Sequence, residues 1–217
     1  MSDDPETVRQ IRELARDTRP LLVLDVDDVL LEFITPFVSF LDSQDLELRL
    51  DSFKLQDNTF DRKTGLALGR ERVSALIDEF FHVQADWQTG ANGAAEAVAA
   101  LARHVEVVLL TAMTHRHRET RRAHLDGVGF PYPLLTTDTP KGPAVRMLRG
   151  ETNRPVAFVD DIPRNLLSVR DSVPDANLFH LMTAPSLRTL LPPLPEGITV
   201  VDDWHLAGPM IARALGV

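Results

Sequence analysis

The sequence predicts an α/β fold, a parallel β-sheet covered by helices on both faces. Short apolar runs recur at residues 21–24, 105–110 (broken by Glu106) and 156–159, and each gives way abruptly to a polar or acidic residue. Runs of that kind suit strands buried on both faces. Between them lie stretches with helical spacing, and strands alternating with helices argue for a parallel sheet built from crossover connections. The alternation fails once, from residue 31 to residue 90. A stretch of roughly 60 residues is far longer than an ordinary loop after a strand, and it predicts a small, mainly helical domain inserted after the first strand.

The elements follow in order. Asp3 or Asp4 before Pro5 signals a helix start, because proline is tolerated in the first helical turn; Val8, Ile11 and Leu14 then keep helical spacing to about Asp17. The strand at 21–24 comes next. Within the insertion, amphipathic helices are expected near 33–42 and 70–82, with a mixed polar segment between them. Beyond residue 90 the pattern gives an alanine-rich helix over 93–103, the strand 105–110 and a helix over 116–126. A weaker strand at 134–135 precedes a helix over 142–149, the strand 156–159 and a helix over 164–171. Weaker strands at 178–181 and 198–201 and a last helix over 206–215 complete the chain. Pro185, Pro192, Pro193 and Pro195 mark irregular surface structure rather than a further domain. The predicted division is a core of residues 1–30 and 91–217 with 31–90 inserted into it.

At 217 residues, 44% hydrophobic and 25% charged, the chain has ordinary globular composition, which excludes a disordered tail or a disulfide-stapled miniprotein. Its 23 basic and 32 acidic residues leave a net charge of −9, a poor footprint for a nucleic-acid polymer or an anionic membrane. There is no cysteine, so thiolate nucleophiles and cysteine-bound zinc are excluded. The polar N-terminus lacks the apolar core of a signal peptide, and no run approaches the ~18 apolar residues of a membrane span. A cytoplasmic protein is expected.

Reactive groups collect where the predicted strands end, which is where open α/β sheets place their ligand crevice. The first strand runs into Asp25-Val26-Asp27, and the run at 156–159 into Asp160-Asp161. An isolated acidic pair can do no more than solvate a strand end. Two pairs at equivalent ends would bring four carboxylates together, and their mutual repulsion would raise some of their pKa values. A hard divalent cation relieves that repulsion, and oxygen-only ligation suits Mg²⁺. Thr111 ends another strand, where its hydroxyl could donate to a phosphoryl oxygen or cap a helix. Lys141, just before a helical stretch, could neutralise phosphate charge or simply be solvated.

Taken in this order, the four elements resemble the haloacid dehalogenase (HAD) superfamily. Its pattern reads here as Leu24-Asp25-Val26-Asp27-Asp28-Val29-Leu30, then Leu109-Leu110-Thr111, then Lys141, then Phe158-Val159-Asp160-Asp161. The insertion falls where the superfamily carries its type-1 cap, and a Rossmann-like core is implied. The resemblance implies that Asp25 is a nucleophile forming an aspartyl-phosphate and that Asp27 is the general acid and base. Thr111 and Lys141 would hold the phosphoryl group. Mg²⁺ would be held by Asp25, the Asp27 carbonyl, Asp160 and Asp161. The dehalogenase branch lacks the second acid; Asp27 therefore points to phosphomonoester hydrolysis of a small metabolite. The opening from Asp25 to Phe33 looks most like the 5′(3′)-deoxyribonucleotidase-type phosphatases. Asp28 departs from the pattern, which often has glycine there to form the turn. A non-catalytic relative that binds a phosphorylated ligand or a protein partner is the alternative.

Three further groups invite a role. Phe33, Phe37, Phe80, Phe81 and Trp87 could stack a base or pack the insertion. The basic stretch from His115 to Arg122, continuing to His124, could touch a second anionic group or form a solvated helix start. Arg164 and Asn165 could orient Asp160 or Asp161.

Overall fold

The structure is a computed structural model that describes residues 4–15, 17–52 and 54–217. Among these residues eight α-helices and eight strands follow one another: α1 (Pro5–Arg12), β1 (Leu21–Leu24), α2 (Ile34–Asp42), β2 (Leu46–Leu48), β3 (Thr59–Asp61), α3 (Arg70–His82), α4 (Ala94–Leu101), β4 (Glu106–Thr111), α5 (Arg118–Gly127), β5 (Leu134–Thr136), α6 (Lys141–Arg149), β6 (Val156–Asp160), α7 (Pro163–Ser172), β7 (Asn177–Leu181), β8 (Ile198–Val201) and α8 (Trp204–Leu215). Six strands form one parallel sheet in the order β5-β4-β1-β6-β7-β8. This is the predicted α/β, Rossmann-like architecture.

The apolar runs are continuous because alternate residues serve opposite faces. Leu22, Leu24, Val107, Leu109, Ala157 and Val159 pack in one cluster with α4, α5 and α8. Leu21, Val23, Val108, Leu110, Val156 and Phe158 pack in the other with α6 and α7. The C-terminal quarter thus completes the sheet and its cover.

Two expectations are corrected. Helix α1 ends at Arg12 rather than near Asp17. The Leu14 amide bonds to the Ile11 carbonyl in a tightened last turn, and Asp17 instead binds Arg19. The polar segment between α2 and α3 is not featureless either: β2 and β3 pair there as an antiparallel hairpin. Strands of three residues are too short to show a period.

Residues 31–90 have an apolar cluster of their own, with Phe37, Phe40, Leu76 and Phe80 at its centre. The Phe37 and Phe80 rings meet edge to face at 5.3 Å, and Trp87 packs against Phe40. The entering and leaving strands lie side by side. Leu31 bridges Gly90, the Glu32 amide donates to the Thr89 carbonyl at 3.0 Å and the Ala91 amide to the Leu30 carbonyl at 2.8 Å.

Candidate active site

The sheet order reverses direction at β1, whose neighbours lead to opposite edges, and such a switch point opens a crevice beyond the strand ends. Asp25 still lies on the ladder, its amide donating to the Val159 carbonyl at 2.9 Å. Asp160 is the last residue of β6 and Asp161 follows it. Because Leu24 pairs with Val159, the carboxylates of Asp25 and Asp160 emerge from adjacent strand ends. Lys141 opens α6 and reaches into the same place.

There the Lys141 Nζ donates to Asp25 Oδ1 at 2.5 Å and to Asp160 Oδ2 at 2.7 Å. Asp160 also accepts from the Ile162 amide at 2.8 Å and from Asn165 Nδ2 at 3.0 Å. All four charged groups are buried, with Asp160 wholly so. Asp25, Asp160 and Asp161 present oxygens that all lie within 4.8 Å of one another. Three carboxylates facing one ammonium leave two negative charges uncompensated, the charge of a divalent cation. Burial pushes the Asp25 carboxyl up, against the pull of Lys141, and Asp160 adds to the rise. Burial also raises Asp161, with repulsion from Asp160 and Asp25 behind it. Burial would lower Lys141, but the two carboxylates outweigh it and the ammonium is held. An all-oxygen donor set with this charge deficit fits Mg²⁺.

Thr111, buried at the end of β4, lines the cavity above the carboxylates. Asp27 lines it as well but points to other partners: Arg121 Nη2 donates to its Oδ1 at 3.0 Å, and Gln88 Nε2 donates to the same oxygen at 2.9 Å. The cavity measures about 540 Å³. One wall is the carboxylate end of the sheet, and the opposite wall comes from residues 31–90, including Phe33, Lys54, Leu55, Ile77 and Phe81.

Asp28 takes the left-handed conformation with φ +55°, which aspartate tolerates better than most residues and glycine best. The side chain gives a reason for the departure from glycine. Its carboxylate accepts from the Phe33 and Ile34 amides at the start of α2 and from the Thr183 hydroxyl at 2.7 Å. Asp28 therefore ties the start of α2 to the loop after β7.

No protein-family model matches the sequence, and no curated protein matches it. Solved structures do match. A HAD family hydrolase from Deinococcus radiodurans R1, with bound phosphate and sodium, is 17% identical with a TM-score of 0.59, covering 90% of this chain and 96% of that one. The fold is HAD-like. A predicted phosphoglycolate phosphatase from Haemophilus somnus 129pt is 13% identical with a TM-score of 0.58, over 91% of this chain and all of that one, 100%. The HAD-hydrolase candidate YfnB from Bacillus subtilis, bound to magnesium, is 12% identical with a TM-score of 0.58, over 93% and 100%.

On this HAD-like scaffold the basic stretch divides. His115 bonds to Asp4 and to the Thr136 hydroxyl, fastening α1 to the sheet. Arg116 and His117 both bond to Asp78 on α3 and so link the segment before α5 to α3. Gln88 is the site residue that sequence reasoning missed, and Arg121, named only as part of the basic stretch, bonds to Asp27. The signal for Arg121 was helical phase: Arg121, His124 and Leu125 are the buried residues of α5, spaced as one face. Asn165 orients Asp160 as anticipated, whereas Arg164 lines the cavity. Phe33 and Phe81 border the cavity, while Phe37, Phe80 and Trp87 pack inside the insertion.

Proposed function

We propose that the protein is a Mg²⁺-dependent phosphomonoester hydrolase acting on a small phosphorylated metabolite. The observation that carries this is the buried cluster of three carboxylates against a single lysine, at the strand ends of a HAD-like fold. Asp25, Asp160, Asp161 and the Asp27 carbonyl would hold the cation. When bound, Mg²⁺ offsets the negative charge of the carboxylates and of the phosphoryl oxygens.

In this reading an Asp25 oxygen attacks phosphorus and the ester P–O bond breaks, leaving an aspartyl-phosphate. Asp27 gives its proton to the departing oxygen. Water then attacks the same phosphorus, Asp27 takes its proton, and Asp25 is released with inorganic phosphate. Splitting one displacement into two lowers each barrier. Thr111 and Lys141 would steady the transferring group, whose charge lies on its equatorial oxygens. Residues 31–90 would act as a cap over the core of residues 1–30 and 91–217, and a covered crevice favours small substrates. A nucleotide is the specific substrate class supported by Phe33 and Phe81, which give the cavity aromatic surface.

The test is inorganic phosphate release from a panel of phosphomonoesters, nucleotides included, with and without Mg²⁺, beside Asp25→Asn. Magnesium-dependent turnover that vanishes in the variant is expected. Turnover retained by Asp25→Asn would rule out the covalent mechanism. A folded protein that turns over nothing yet binds phosphate esters would favour the non-catalytic relative.

A further inference from the structure

The basic residues of α5 have no part in the chemistry just described, yet one of them is fully buried. Arg121 has no exposed surface, and its guanidinium lies between Asp27 and the ring of Phe81, 5.2 Å from the ring centroid. Asp27 Oδ1 accepts from Arg121 Nη2 at 3.0 Å and from Gln88 Nε2 at 2.9 Å. Among the described residues Asp27 Oδ2 receives only the longer Arg121 contact, at 3.2 Å. Gln88 is itself fixed: its Nε2 also donates to the Glu32 carbonyl, and His124, one turn beyond Arg121, donates from Nε2 to the Gln88 carbonyl. One face of α5 therefore sets both partners of Asp27.

We infer that Gln88, with Arg121 gripping the carboxylate, is a positioning residue that selects which oxygen of Asp27 carries the transferred proton. Guanidinium and amide N–H groups only donate, so a proton on Oδ1 would face two donors and no acceptor. Oδ2 faces a single donor, the longer Arg121 contact, so the proton is favoured there. In the first step Oδ2–H gives it to the ester oxygen as the P–O bond breaks, and the carboxylate left behind keeps both donors on Oδ1. In the second step Oδ2 takes a proton from the attacking water. This role rests on the reading of Asp27 as general acid.

The test is kcat/KM for Arg121→Met and Gln88→Leu over phosphate monoesters graded by leaving-group pKa, with Mg²⁺ present. This constant reports the step that releases the leaving group. Esters with alkyl leaving groups need the proton, and positioned acids contribute on the order of 10²–10⁴-fold; a loss of ~30-fold or more is therefore expected for them in Arg121→Met. p-Nitrophenyl phosphate, whose leaving group departs unprotonated, should lose less than ~3-fold, since the acid term is absent. Gln88→Leu, which removes the donor found on Oδ1 alone, should show the same tilt and serves alone if Arg121→Met does not fold. An equal loss across all esters, or none, would overturn the positioning role while leaving the phosphatase reading intact. Wild-type protein inert towards every ester would overturn both.

Discussion

Lys141 is the residue on which the site's electrostatics turn. Its ammonium is the only cation contacting Asp25 and Asp160 among the described residues. Removing one partner of a buried pair typically costs ~3–5 kcal/mol. Lys141→Met should accordingly lower the urea midpoint in EDTA, with added Mg²⁺ recovering part of the loss. An unchanged midpoint in EDTA would mean that the carboxylates do not depend on the lysine. At this scale the sequence was legible where a motif sits on a strand end. Asp25, Asp160 and Asp161 meet because short apolar runs fix where strands stop, and Lys141 joins them from the first residue of α6. Arg121 was not legible, since a burial decided by tertiary contact leaves an arginine in a basic helix looking like its neighbours. Asp28 was visible as an exception, but its purpose depends on Thr183, which lies far along the chain.

Helices α6 and α7 meet at an unusually close crossing, and Gly142 makes it possible. A methyl group added there would lie 2.0 Å from the Ser168 carbonyl oxygen, and backbone cannot yield as a flexible side chain does. The Gly142 amide also donates to the Ser168 hydroxyl at 3.0 Å. Overpacking of this kind costs ~1–3 kcal/mol. Gly142→Ala should lower the melting temperature and, because Lys141 is its neighbour, reduce turnover. A variant that melts with the wild type would show that the helices can part freely. Element prediction worked for the long stretches: α3 spans Arg70–His82, as its apolar spacing requires. It failed for the β2–β3 hairpin, whose pairing is set by the surrounding insertion and not by any local period.

For the whole molecule the balance of charge against burial has a pH signature. The Asp25 carboxyl is raised from 3.8 to about 7, chiefly by burial. A group whose folded pKa lies above its unfolded one binds more protons when folded, so its contribution to stability declines as pH rises through that window. A bound divalent cation favours the ionised form and removes the decline. The gain in melting temperature on replacing EDTA with Mg²⁺ should therefore grow from pH 5 to pH 8. Scanning fluorimetry would measure it, and a gain independent of pH would mean that the cation binds elsewhere. Among the described residues no helix is long and apolar enough to cross a membrane. The position of β1 at the middle of the sheet has a consequence for synthesis on the ribosome. Its first residue, Leu21, pairs with Glu106 and with Val156, so the strand emerges long before either neighbour exists. At ~5–20 residues per second, several seconds pass with an apolar strand unpaired. Residues 31–90 are made in that interval with an apolar cluster of their own. Those side chains have one another to pack against while the central strand still waits for both of its partners.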